Sequence, residues 1–229
     1  MSPTRILIRD ELMGFAKSKV MLVMWVLLPL IAIAGYLVIP TDAILGGDTG
    51  PKLSATAFMG FLMSSLAGTV SALMVAVDII SEKNRKVYEL FVIRPIRPDA
   101  IIWAKFVAVF TCVTIACVVS LTLGMTIDRI RGTQITGDML YDAGKVVLAL
   151  IGVIALSAGV GVLFGVLAKT ILVAVILILY VGQNLAIIPM IPMYLGLLPR
   201  AFWIAMVISA VLTALLLWGS GRLFRRTEY

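Results

Sequence analysis

Six runs of about 20 apolar residues, set apart by short charged segments, dominate this sequence and leave few folds open to it. They are read at Val20–Ile39, Ala55–Val77, Ala100–Ile127, Val146–Ala168, Ile171–Ile188 and Phe202–Ser220. A helix rises about 1.5 Å per residue, so each run matches the roughly 30 Å hydrocarbon core of a bilayer. Backbone inside lipid must satisfy its own hydrogen bonds, which a helix does within a single segment. Composition agrees: 62% of the 229 residues are hydrophobic and the mean hydropathy is +1.11. A soluble domain is roughly 45–50% apolar and could not hide so much. The expectation is an all-α membrane protein with about six transmembrane helices, a single domain over 1–229 with no water-soluble domain attached. The first run is expected to stay as an anchor, because a long mixed-charge segment precedes it and no small-x-small cleavage site follows.

The formal charge of +7 would suit nucleic acid, yet no aromatic-interleaved basic patch exists and the charges fall between apolar runs. They read as loop charge facing the cytoplasm, and no nucleic-acid partner is expected. With the N-terminus inside, the outer segments hold Lys52, Arg129, Arg131, Lys145 and Arg200, leaving fourteen of the 19 Lys and Arg on the inner side. The bias predicts a multi-pass protein of the cell membrane with N- and C-termini cytoplasmic, and an external loop over 128–145. All four tryptophans, Trp25, Trp103, Trp203 and Trp218, fall near helix ends, where an amphipathic ring prefers the interface. Within residues 1–19, Ile8, Leu12 and Phe15 share one helical face, with Arg9, Asp10 and Lys17 away from it. That pattern fits an interfacial helix; a solvated tail is the alternative.

Gly60, Ser64, Gly68 and Ala72 recur every four residues in the second run, as do Ser157, Gly161 and Gly165 in the fourth. Small residues at that spacing let backbones approach closely, which supports packing and no chemistry. Pro29 is expected to kink the first span. Cys112 and Cys117 lie inside one apolar run and read as small packing residues. No internal repeat is found, which argues against a transporter of two fused halves.

The absences are sharper. There is no histidine, so an intramembrane Ser–His protease, a His-ligated zinc site and a histidine proton relay are excluded. No catalytic residue and no metal site is expected. No Asp or Glu falls in the middle of a predicted span, whereas ion-coupled carriers accept the cost of such a group. An ion-driven carrier could still use backbone carbonyls and hydroxyls such as Ser64, Thr69 and Thr111. A phosphate loop of the form G-x-x-x-x-G-K-S is also missing. Any uphill work must therefore be powered by another protein, and a structured cytoplasmic loop should receive that power.

The segment 78–99 offers such a loop. Between Glu82 and Ile93 the chain avoids Gly and Pro, sets Glu82 four residues before Lys86, and places Val87, Leu90 and Phe91 on one side; Pro95 and Pro98 follow. A short amphipathic helix is predicted, which would also suit a basic surface helix resting on anionic lipid. Its residues carry a resemblance. Glu82-Lys83, Leu90, Arg94-Pro95-Ile96, Ile101 and Lys105 resemble the loop in permease subunits of the type-2 ABC exporter class, and the order of elements is similar across nearly the whole chain. Where that family often has Gly-Thr in mid-stretch, this chain has Lys86-Val87, which leaves subfamily and substrate open. The resemblance implies a coupling helix that docks in a cleft of a cytoplasmic ABC ATPase subunit, present in two copies. Glu82, Lys83, Arg85, Val87, Glu89, Leu90 and Phe91 would make the contacts. It also implies a second permease subunit, identical or similar, facing this one across the path. No cofactor would sit in this chain, ATP and magnesium belonging to the ATPase.

After Tyr180, Pro189, Pro192 and Pro199 interrupt a stretch that stays apolar, so 189–201 is expected to dip into the outer leaflet as a re-entrant loop or to rest among headgroups. Family members have similar short helices closing the outer end of the path. Gln183 and Asn184 would then cap broken backbone or touch substrate. Together with Ser64, Thr69 and Thr111 they are the candidate path and outer-gate residues. The reading is the membrane subunit of an ATP-driven exporter working by alternating access. Its alternatives are an ion-coupled carrier or channel, and a non-transporting scaffold.

Overall fold

The computed structural model describes residues 3–38, 44–45, 53–84, 98–130, 137–194 and 199–227, and the chain is an all-α membrane protein. Helix α1 spans Pro3–Ala16, α2 Lys19–Val38, α3 Ala55–Asn84, α4 Pro98–Ile130 and α5 Gly137–Leu167. The fifth span is built in pieces: α6 (Ile171–Leu177), a π-helical turn (Ile178–Gly182), α7 (Gln183–Ala186), a 3-10 turn (Ile188–Met190) and α8 (Ile191–Tyr194). Helix α9, Pro199–Thr227, closes the chain. The extended backbone is limited, among the described residues, to Ile44–Leu45 pairing antiparallel with Leu53–Ser54. Six of the described segments are long and apolar enough to cross a membrane.

Ser18 separates α1 from α2: its Oγ accepts from the Met21 backbone N–H at 3.2 Å, the contact of an N-cap residue that starts a new helix. Helix α1 is no solvated tail, since Leu7, Leu12 and Phe15 pack against the core. Pro29 sits inside α2, which runs on from Lys19 to Val38.

Helix α5 is the centre of the bundle, with 72% of its apolar window buried against 28% for α2 and α9 and 22% for the fifth span. Its main neighbour is α3, and the two small-residue stripes face each other. A Cβ on Gly161 would lie 2.3 Å from the Ala72 carbonyl oxygen, and one on Gly165 3.1 Å from the Ala76 Cα. At Gly161 only glycine allows that approach, and at Gly165 a larger residue would press on the neighbouring helix. On the other side of the bundle, buried Tyr36 of α2 lays its ring over Gly124 of α4.

Several helix boundaries differ from the sequence reading. Helix α3 does not stop at Val77 but continues to Asn84, because Asp78 and Glu82 find a cation on α4 and need not leave the helix. Glu82 and Lys83 therefore end a span instead of opening a separate helix. Helix α5 begins at Gly137, so the second half of the expected 128–145 loop is helical. There Lys145 pairs with Asp142 at 3.3 Å and lies 4.1 Å from the Tyr141 ring centre, which lets these charges ride on the helix. The fifth span keeps its predicted place, but its regular helix breaks at Ile178, well before the first proline.

Candidate functional site

Midway along the bundle, α3, α5 and the fifth span border a half-open cavity of about 50 Å³, room for a few water molecules or one small polar group. Ser64, Thr69, Ser157 and Gln183 line it. The π-helical turn sets this geometry. Its widened ring has the Gln183 backbone N–H donating to the Ile178 carbonyl five residues back, and Ile178, Gly182 and Gln183 all border the cavity. Gln183 Nε2 donates to Thr69 Oγ1, and the Thr69 hydroxyl donates on to the Ser65 carbonyl at 2.7 Å. A hydrogen-bonded chain thus joins the fifth span to α3. Ser64 is buried and donates to the Phe61 carbonyl at 2.9 Å. Ser157 is 3% exposed, and its hydroxyl has no partner among the described residues. Asn184 points outward and donates to the Tyr180 carbonyl at 2.5 Å, so it caps the backbone of the π-helical turn.

The second polar constellation lies at one end of the bundle, where α3 ends and α4 begins. Lys105, wholly buried on α4, bonds Asp78 and, at 2.7 Å, Glu82, both on α3; it also meets Glu11 of α1 at 3.2 Å. The three carboxylates are 21–32% exposed. A buried ammonium without partners would cost several kcal/mol, and here all three of its donors are used. Burial pushes the Glu11 carboxyl above its ordinary value, while the Lys105 ammonium pulls it back down. Lys83 Nζ reaches the Val166 carbonyl at 3.4 Å, tying the last turn of α3 to the end of α5.

No family model matches this chain, and no curated protein matches it either.

Of the path residues read from sequence, the fold brings Ser64, Thr69 and Gln183 to one cavity. Thr111 is half-buried on α4 and is not among the lining residues, and Asn184 serves the backbone beside the cavity. Of the coupling residues, Glu82 is held by Lys105 and Lys83 by α5. Arg85, Val87, Glu89, Leu90 and Phe91 lie outside the described residues. The sequence reading missed Ser157 at the cavity and, at the end of the bundle, Lys105 with its partners Asp78 and Glu11. Ser157 was read as part of a packing stripe. Lys105 was read only through its motif, although a lone cation inside an apolar run is itself a signal of a buried partner.

Proposed function

We propose that this chain is the membrane subunit of an ATP-driven exporter, in which α3 and the fifth span line the translocation path and the segment between α3 and α4 receives force from a separate ATPase. The observation that carries the transport reading is the hydrogen-bonded chain Gln183–Thr69–Ser65, set midway along two spans beside outward-facing Ser65, Tyr180 and Asn184. The Gln183, Thr69 and Asn184 donors are satisfied within the chain, but the exposed Ser65 and Tyr180 hydroxyls face outward, where lipid offers no hydrogen bond and a water-filled path or a second subunit does. The break in the fifth span at the same level supports this, since irregular helix at membrane depth is tolerated where it lines a cavity. Charged side chains among the described residues gather toward the span ends, which supports an energy source outside the membrane over an ion gradient. The resemblance of Glu82–Lys105 to the exporter loop supplies the ATPase, and alternating access by a pair of such chains follows from the same resemblance.

The test compares two variants of the coupling segment. If Val87, Leu90 and Phe91 fill a cleft on the ATPase, truncating the aromatic anchor should cost about 2 kcal/mol or more of association. Phe91→Ala is expected to insert normally yet lose ATPase pull-down. Neutralising Lys83, Arg85 and Lys86 together is expected to weaken association less and in a salt-dependent way. A fully associating Phe91 variant beside a defective basic variant would instead favour a helix resting on anionic lipid and sink the docking reading.

A further inference from the structure

We infer that Lys105 is a positioning residue that makes a permanent joint of α3 and α4 and a detachable one of α1. Asp78 and Glu82 are four residues apart on α3 and therefore share a face, so two of the three bonds of Lys105 go to the same helix. Glu11 supplies one bond from a separate, shorter helix at 3.2 Å, the longest contact of the set. The consequences of breaking each bond are unequal. Loss of Glu11 leaves the buried ammonium with two carboxylates. Loss of Lys105 leaves three carboxylates converging on one point with no cation between them.

Glu11 also has somewhere to go. It borders an open hollow of about 590 Å³, shared with Asp10, Phe15, Lys17 and Asp78, so a small outward shift of α1 returns its carboxylate to water. That shift relieves the burial that pushes the carboxyl up. Beyond the ion pair, α1 packs extensively along α4, where the partly buried Leu7, Leu12 and Phe15 meet the core, so the apolar contact is the other hold that the test must separate from the Glu11 bond. The joint lies where α3 ends and α4 begins, at both ends of residues 85–97. The inference concerns this chain alone and holds whether or not an ATPase docks on residues 85–97.

The test uses the full chain in membranes on a Cys112→Ala, Cys117→Ala background, with Leu12→Cys or Asn84→Cys as the single thiol and a permeant maleimide as probe. Adding Glu11→Gln is expected to speed labelling of Leu12→Cys on the order of tenfold, the ratio that one charge-assisted hydrogen bond supports. Labelling at Asn84→Cys and the melting temperature of the purified chain should stay near those of the parent. Asp78→Asn should lower the melting temperature without speeding Leu12→Cys, and Lys105→Met should lower it furthest. Unchanged labelling of Leu12→Cys in the Glu11→Gln chain overturns the inference, because the apolar face alone would then hold α1. Faster labelling at both sites, or a melting loss from Glu11→Gln equal to that from Lys105→Met, also overturns it, since α1 would then belong to the permanent joint.

Discussion

Gly161 and Ser157 lie one turn apart on α5 and pose opposite residue-scale problems. Gly161 is where α5 touches the α3 backbone at Ala72, so even a methyl group has no room. Overpacking of this kind typically costs about 1–3 kcal/mol. Gly161→Ala is expected to lower the melting temperature of the detergent-purified chain by several degrees. Gly219→Ala, where nothing lies within 4 Å of the added carbon, should hold or raise it, because alanine is the better helix former; a fall as large as that of Gly161→Ala would argue against the α3–α5 contact. Ser157 instead keeps a buried hydroxyl without a partner among the described residues, which costs roughly 1–3 kcal/mol when nothing else satisfies it. Ser157→Ala should therefore hold or raise the melting temperature while impairing transport. A clear fall in melting temperature would mean that the hydroxyl is already engaged.

At the scale of elements, the spans were legible and their ends were not. Hydropathy alone locates six helices because lipid imposes one length and one polarity on each. The stripes of α3 and α5 were readable as packing faces, since Gly68, Ala72, Gly161 and Gly165 recur at the period of a helix face, but that they meet each other inside one chain was not. The extension of α3 to Asn84 was hidden because hydropathy marks where the apolar run ends and not where the helix does; Lys105, which meets Asp78 and Glu82 there, comes from α4. The break in the fifth span was hidden for another reason. Ile178–Gly182 contains no proline, and its widened turn is held by the Asn184 side chain on the Tyr180 carbonyl and by Gln183 on Thr69, partners visible only in three dimensions. Within the candidate cavity Ser64, Thr69 and Gln183 could be picked as polar residues in apolar runs. Ser157 could not, because a serine in a small-residue stripe serves close packing equally well.

The whole molecule has a polar middle and a charged end, joined by α3, which carries Thr69 at its centre and Glu82 in its last turn. A subunit that passes force from one to the other needs that end in the cytoplasm. The excess of Lys and Arg on one side is the ground for expecting the same orientation. Cysteines at Thr49 and Thr133 are expected to react with an impermeant thiol reagent from outside intact cells, and those at Asn84 and Thr227 only after permeabilisation. Reaction at Asn84 in intact cells would invert the topology and remove the docking reading with it. The most direct test of the central claim is the ATP hydrolysis rate of the material that copurifies with the tagged chain in mild detergent. The account predicts a bound ABC ATPase whose turnover is lost from the chain fraction once that partner is stripped away. Hydrolysis that stays with the chain alone, or a chain that folds and transports with no ATPase bound, would contradict it.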